Sequence, residues 1–200
     1  MATSIAQGKG STAERILSTS AGLFARFGYN GVSTRDIALA AGVNEVTVYR
    51  HFPRKRDLYL AALDSELRRV QLGGDLLAEI AEAEDVQTVV TRTFHLVATT
   101  LMRRPELLRL VQFGALEFSD DLKPLFRRHL GELIEVVARY VDPWIGRGEL
   151  RCSSAKVLIL TLIAIVLSHR SLHPIFSEDQ AGPEAMFETY SGVLWGTVGR

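Results

Sequence analysis

The chain has 200 residues, 47% of them hydrophobic, with 23 Lys+Arg, 23 Asp+Glu and a single cysteine. A chain of this size and composition buries a sizeable core without disulfides or a structural metal, which excludes intrinsic disorder and a disulfide scaffold. Cys152 has no second cysteine to pair with, and no charged-plus-apolar leader opens the sequence, so a reducing, cytoplasmic setting is expected. The longest apolar stretch, 157–167, has 11 residues and is interrupted by Thr161. That falls short of the roughly 20 residues of a bilayer span, so a buried element and no membrane partner are expected.

The zero net charge hides an asymmetry. Residues 1–56 carry eight Lys+Arg and three Asp+Glu, whereas residues 57–200 carry 15 and 20, so the two parts are +5 and −5. A small basic unit on a larger acidic body suggests different partners for the two, the first a polyanion.

In chain order, Ser11 and Glu14 stand at capping-box spacing ahead of Ile16, Leu17, Ala21, Phe24 and Phe27 at helical spacing, which predicts a first helix that stops at Gly28. Ser33 and Asp36 repeat the signature for a short second helix that Gly42 ends in a left-handed conformation. A third short helix runs from Asn44 through Phe52, and Pro53 separates it from a longer one, Arg54 to about Leu72. Beyond Gly73-Gly74 the pattern predicts helices over Val86 to Arg104, Pro105 to Phe118, Leu122 to about Ile145, Ser154 to Leu172 and Pro183 to Val198. Pro105 and Pro183 sit at first-turn positions, each followed by Glu. No Val/Thr/Tyr alternation marks a strand, so the fold class is all-α.

Ala38, then Gly42 four residues on, then Val48 six after that, is what two helices crossing through a tight turn require. Alanine lets them approach, glycine takes the positive φ, and valine plugs the gap; this reads as a helix-turn-helix. The fuller string is Phe24-x-x-x-Gly28-Tyr29-x-Gly31-Val32-Ser33-Thr34-Arg35-Asp36-Ile37-Ala38, then Ala41-Gly42-Val43, Thr47-Val48-Tyr49-Arg50-His51-Phe52, Lys55, Leu58 and Tyr59. It closely resembles the DNA-binding domain of the TetR family of bacterial transcriptional repressors, over residues 11 to about 63. Leu107-Leu108-Arg109-Leu110-Val111 and Gly146-Arg147-Gly148-Glu149-Leu150-Arg151 are similar to the family's regulatory domain.

The resemblance implies an N-terminal three-helix DNA-binding domain, 1–56, and a C-terminal helical domain, 57–200, that binds an effector and dimerises. The partners would be double-stranded DNA, a small-molecule effector and a second copy of the chain. It also implies that Thr34 and Arg35 meet the DNA at the start of helix two, that Thr47, Tyr49 and His51 position phosphates, and that Lys55 does so from helix four. Those side chains can each donate to phosphate oxygens. Base reading then falls to Asn44, Glu45, Val46 and Arg50, since Asn pairs adenine, Glu accepts from cytosine, Val touches the thymine methyl and Arg forks onto guanine. Glu45 departs from the common family pattern and puts a negative charge near the phosphates, so it would supply specificity, not affinity.

In the body, Phe94, His95, Met102, Gln112, Phe113, Glu117 and Trp144 are the effector-binding candidates, an apolar wall with a few polar anchors that suits a small, largely hydrophobic ligand. The apolar 157–167 helix and the last helix carry more apolar surface than one chain covers, and the last two helices form the dimer interface in the TetR family. Ile163, Val166, Phe187, Tyr190, Leu194 and Trp195 are expected there. His169 and His173, four apart on a helix, are two possible ligands without the others a metal site needs, and Cys152 reads as inert. No cofactor, metal or catalytic residue is expected, because no nucleophile elbow, Walker A or dinucleotide fingerprint appears. The sequence therefore points to a ligand-responsive, dimeric repressor at a palindromic operator; the alternative is a helical small-molecule or lipid-binding protein without DNA binding.

Overall fold

The computed structural model describes residues 11–70, 74–176 and 183–198. Among these the secondary structure is helical, with a single isolated bridge residue at Leu150 and no strand. The helices are α1 (Thr12–Phe27), α2 (Thr34–Ala41), α3 (Glu45–His51), α4 (Lys55–Arg68), α5 (Gly74–Ala81), α6 (Val86–Met102), α7 (Pro105–Glu117), α8 (Ser119–Gly146), α9 (Ala155–Phe176) and α10 (Pro183–Val198).

The chain divides into two compact units. One runs to Arg69 and takes in Arg109–Leu122; the other comprises Val70–Leu108 and Lys123–Arg200. The first unit, the head, is thus longer than the 1–56 expected from the sequence and is not continuous, because most of α7 and the first turn of α8 belong to it.

Within the head, local signals act as read. Both halves of the Ser11/Glu14 and Ser33/Asp36 capping boxes form, and α1 closes at Gly28 with φ 75°. Gly42 ends α2 at φ 64°, and the Val43 N–H returns to the Ala38 carbonyl at 3.0 Å, closing off carbonyls that the helix end would otherwise leave bare. Another of them, on Ala41, accepts from Arg15 Nε at 3.1 Å, so α1 helps to cap α2. Val48 is fully buried, as a plug between two crossing helices should be.

Two segments of the head carry a long-range packing role. Phe24, Tyr29, Tyr59 and Phe118 form one aromatic cluster, with Tyr59 5.0 Å from Phe24 and 5.5 Å from Phe118, and Tyr29 edge-on to Phe118 at 4.6 Å. Tyr59 is fully buried and donates its hydroxyl to the Leu110 carbonyl at 2.6 Å. Burial pushes its phenol far above the ordinary range, so it stays a donor throughout. Gly114 allows the approach, since a Cβ there would lie 3.2 Å from the Tyr59 ring.

The second unit, the body, has a core of residues from α5, α6, α8, α9 and α10, including Ile80, Val90, Phe94, Val97, Val137, Val141, Leu158, Ile159, Leu162, Val166, Met186 and Leu194. α5 is a helix that the sequence pattern did not announce, and α4 ends at Arg68 rather than near Leu72. α9 extends to Phe176, with Pro174 inside it, and its 22 residues are by length and composition enough to cross a bilayer. The length argument against a span therefore does not hold. Leu158, Ile159, Leu162 and Val166, at most 1% exposed, place one face of α9 in the body's core.

α6 opens on Asp85, whose carboxylate accepts from the Thr88 N–H at 2.8 Å and the Thr88 hydroxyl at 2.6 Å. These bonds hold its pKa below the usual carboxylate range. Asp85→Ala should cost about 1 kcal/mol in thermal or urea melts at neutral pH. Because the folded pKa is depressed, that contribution is present above the unfolded value and fades as pH falls through the folded one. The gap between wild type and variant should accordingly close on acidification; a constant gap down to the acid transition would contradict the cap's role.

Candidate nucleic-acid interface

Around the buried Val48, helix α3 leaves Asn44, Val46, Tyr49, Arg50 and His51 exposed, with Glu45 and Thr47 half-buried. Arg35 is exposed in the first turn of α2. The structure thus brings Arg35 and the α3 candidates onto two helices joined through Gly42 and fixed by caps at both ends of the turn.

Five candidates are already engaged. Asn44 caps α3, its Oδ1 accepting from the Val46 N–H at 2.9 Å, which leaves that oxygen one lone pair and holds the amide to the first turn of the helix. Thr34 is only 7% exposed, and its hydroxyl meets Glu45 Oε1 at 2.6 Å and the Tyr49 hydroxyl at 3.0 Å. It is tied into the protein rather than free for phosphate. Lys55 lies over the Tyr29 ring, its Nζ 4.3 Å from the centroid; burial lowers its pKa, and Glu117 pulls it back up.

The neighbours of Lys55 are not loose cations either. Arg54 pairs with Asp57 at 2.9 Å, and Arg56 pairs with Asp121 and stacks on Phe118 at 5.5 Å. Of the basic run 54–56, Arg56 joins α4 to the start of α8, while Arg54 is paired with Asp57 at the start of α4 and Lys55 lies on Tyr29.

The effector candidates are divided between the two units. Phe113 and Glu117 belong to the head: the Phe113 ring lies 3.6 Å from where a Cβ on Gly28 would stand, and Glu117 accepts from Asn30 Nδ2 at 2.9 Å. Gln112 is half-buried in the same unit. Phe94 is fully buried in the body's core against Phe187, with ring centroids 5.6 Å apart; Met102 and Trp144 pack on that core, and His95 is exposed. The body also has an open cleft of about 600 Å³ lined by Val86, Arg147, Glu149 and Trp195, none of them among those candidates. Arg147 pairs there with Glu149 at 2.6 Å and lies 4.2 Å from the centre of the Trp144 ring.

The expected dimer residues need a similar correction. Val166 and Leu194 are buried in the core, and Ile163, Phe187, Tyr190 and Trp195 pack against it. Exposed instead on the same helices are Val157, Leu160, Leu172, Ile175 and Val193. The His169 and His173 rings stand 4.4 Å apart, and His169 Nδ1 is 3.4 Å from the Tyr190 hydroxyl. Among the described residues no three His, Cys, Asp or Glu side chains converge as a metal site. Cys152 is half-buried, with its thiol directed to the Ser154 carbonyl.

A capped helix–turn–helix, outward-facing on its second helix and followed by a separate all-helical body, defines a helix-turn-helix protein. Residues 16–62 match the model of the bacterial regulatory proteins, tetR family. The nucleoid occlusion factor SlmA of Marinobacter nauticus is 27% identical over 120 residues, 60% of this chain and 59% of that protein, so the match spans less than two thirds of that relative's length. The DNA-binding transcriptional repressor TetR of Mycobacteroides abscessus is 25% identical over 146 residues, 72% and 74% of the two chains. The crystal structure of AibR in complex with isovaleryl coenzyme A and operator DNA superposes with a TM-score of 0.67 at 17% identity, covering 92% of this chain and 98% of that one. The match places residues 16–62, within α1–α4, in the tetR-family type of domain, and the solved structures share the all-helical fold of the rest.

Proposed function

We infer that the protein is a cytoplasmic transcription regulator, a repressor whose head binds duplex DNA as part of a homodimer and whose body takes a small, largely hydrophobic effector. The observation that carries the reading is α3: capped at Asn44, anchored by the buried Val48, and presenting Val46, Tyr49 and Arg50 outward on one short helix. A two-fold pair of such helices fits major grooves about one turn apart, hence a palindromic operator. AibR, bound to both operator DNA and a coenzyme A thioester, supports the pairing of a DNA head with an effector body.

The test is binding of the full-length protein to duplexes from its own promoter region and to random duplex, across a salt series. One promoter segment should bind far more tightly than random DNA, with affinity falling steeply as salt rises. Arg50→Ala should relax discrimination at one base position by about 1–3 kcal/mol. Equal, weak affinity for every segment and for random DNA would overturn the reading.

Dimerisation is assigned to the exposed stripe on α9, Val157, Leu160, Ala164, Ser168, Leu172 and Ile175, whose spacing keeps it on one side of the helix, together with Val193 on α10. Leu160→Glu with Val193→Glu should give a folded monomer in analytical ultracentrifugation, since both sites are at least half exposed in the single chain. A double variant that remains dimeric would place the interface elsewhere. For the effector, isovaleryl coenzyme A is the first probe: titrated into the DNA complex, it should release DNA if the body reads acyl thioesters, and no release would exclude that class.

A further inference from the structure

Thr34 opens α2 and Glu45 opens α3, and the two meet across the turn. Thr34 Oγ1 donates to Glu45 Oε1 at 2.6 Å and lies 3.0 Å from the Tyr49 hydroxyl. A threonine hydroxyl has one proton to give, and an ionised carboxylate only accepts. That proton is therefore committed to Glu45, and Tyr49 must be the donor in the second bond. The direction of the chain is fixed: Tyr49 O–H to Thr34 Oγ1, Thr34 O–H to Glu45. Its middle member is 7% exposed, whereas Tyr49 is 46% exposed and Glu45 half-buried, so the two ends reach solvent.

What remains unfilled at those ends is acceptor capacity: the second carboxylate oxygen of Glu45 and a lone pair on the Tyr49 oxygen. Phosphate oxygens are themselves acceptors and gain nothing from such a surface. The major groove supplies the complement in the exocyclic amino groups of cytosine and adenine. Adenine carries the acceptor N7 beside its amino group, which repels a carboxylate; cytosine carries C5–H there, which does not.

We propose that Glu45 is a specificity-determining residue that accepts from the N4 amino group of a cytosine in the major groove, and that Thr34 and Tyr49 are positioning residues that hold its carboxylate rather than phosphate contacts. This rests on the DNA-binding reading above and adds to it the base that is read and the direction of the hydrogen bonds that reads it.

The test is selection by the full-length protein from a pool of duplexes with a randomised central stretch, read by sequencing. Wild type should enrich cytosine at one position of each half-site. Glu45→Ala should lower discrimination of C·G against T·A there by about five- to a hundredfold, with the rest of the selected site unchanged. Glu45→Gln should move the preference toward adenine, which glutamine pairs at two points. Tyr49→Phe, at the exposed end of the chain, should weaken the cytosine preference at that same position; it serves as the decisive positioning variant if Thr34→Val, which also loses the tie between α2 and α3, does not fold. A site unchanged by Glu45→Ala, or adenine at the position that responds, overturns the proposal. So does a Tyr49→Phe loss of affinity spread evenly over all sequences, the mark of a phosphate contact. A wild-type protein that enriches no sequence fails the DNA-binding reading itself, a result separable from the others.

Discussion

Replacing Tyr59 by alanine should destabilise the head by about 3–5 kcal/mol, the cost of deleting a large buried ring. Three rings lean on it, those of Phe24, Tyr29 and Phe118, and none of the residue is exposed. Tyr59→Phe keeps the ring and loses only the bond to the Leu110 carbonyl, for a cost of about 0.5–1.5 kcal/mol. The measurement is hydrogen exchange on the full-length protein, with protection compared between α1–α4 and α6–α9. A loss confined to the head together with the Arg109–Leu122 segment supports the packing described; equal costs for alanine and phenylalanine would mean the ring contributes little.

Phe94→Ala should cost the body a similar amount, about 3–5 kcal/mol. The ring is fully buried among Val90, Val97 and the α9 and α10 core residues, with Phe187 at 5.6 Å. If Phe94 instead lined a ligand cavity, its removal would weaken effector binding while leaving the melt of the free protein nearly unchanged. Urea titration without ligand separates the two. An unfolding free energy within about 1 kcal/mol of wild type would contradict the core assignment.

The parts of this fold that were legible in the sequence are those fixed by neighbours in the chain. Ser11 with Glu14, Ser33 with Asp36, and Gly42 after Ala41 each satisfy backbone groups within a few residues, so spacing alone reveals them. The same holds for Val48, whose burial follows from the turn it closes.

What was not legible depends on partners far away in sequence. Phe113 and Glu117 read as pocket residues because an aromatic and an acid on a body helix look alike whichever unit they face; it is Gly28 and Asn30, more than 80 positions earlier, that claim them. Thr34 and Lys55 read as groups offered to phosphate, since a sequence shows a hydroxyl or a charge but not the Glu45 carboxylate or the Tyr29 ring that holds it. On α9 the pattern was apolar nearly all round, so periodicity did not divide the core face from the exposed one. α5 is hidden in the sequence because Gly73-Gly74 reads as a break, and the eight residues from Gly74 to Ala81 make too short a pattern to override it.

The return of Arg109–Leu122 to the head bears on how such proteins can be rebuilt. A cut after Arg69 would leave Tyr59 without the Leu110 carbonyl, Arg56 without Asp121, and the aromatic cluster without Phe118. The head of this protein is therefore not a portable cassette. Swapping heads between relatives calls for two crossovers, one near residue 69 and a second exchange spanning 109–122, and a chimaera made at the first junction alone inherits a reader whose hydrophobic underside matches the wrong donor.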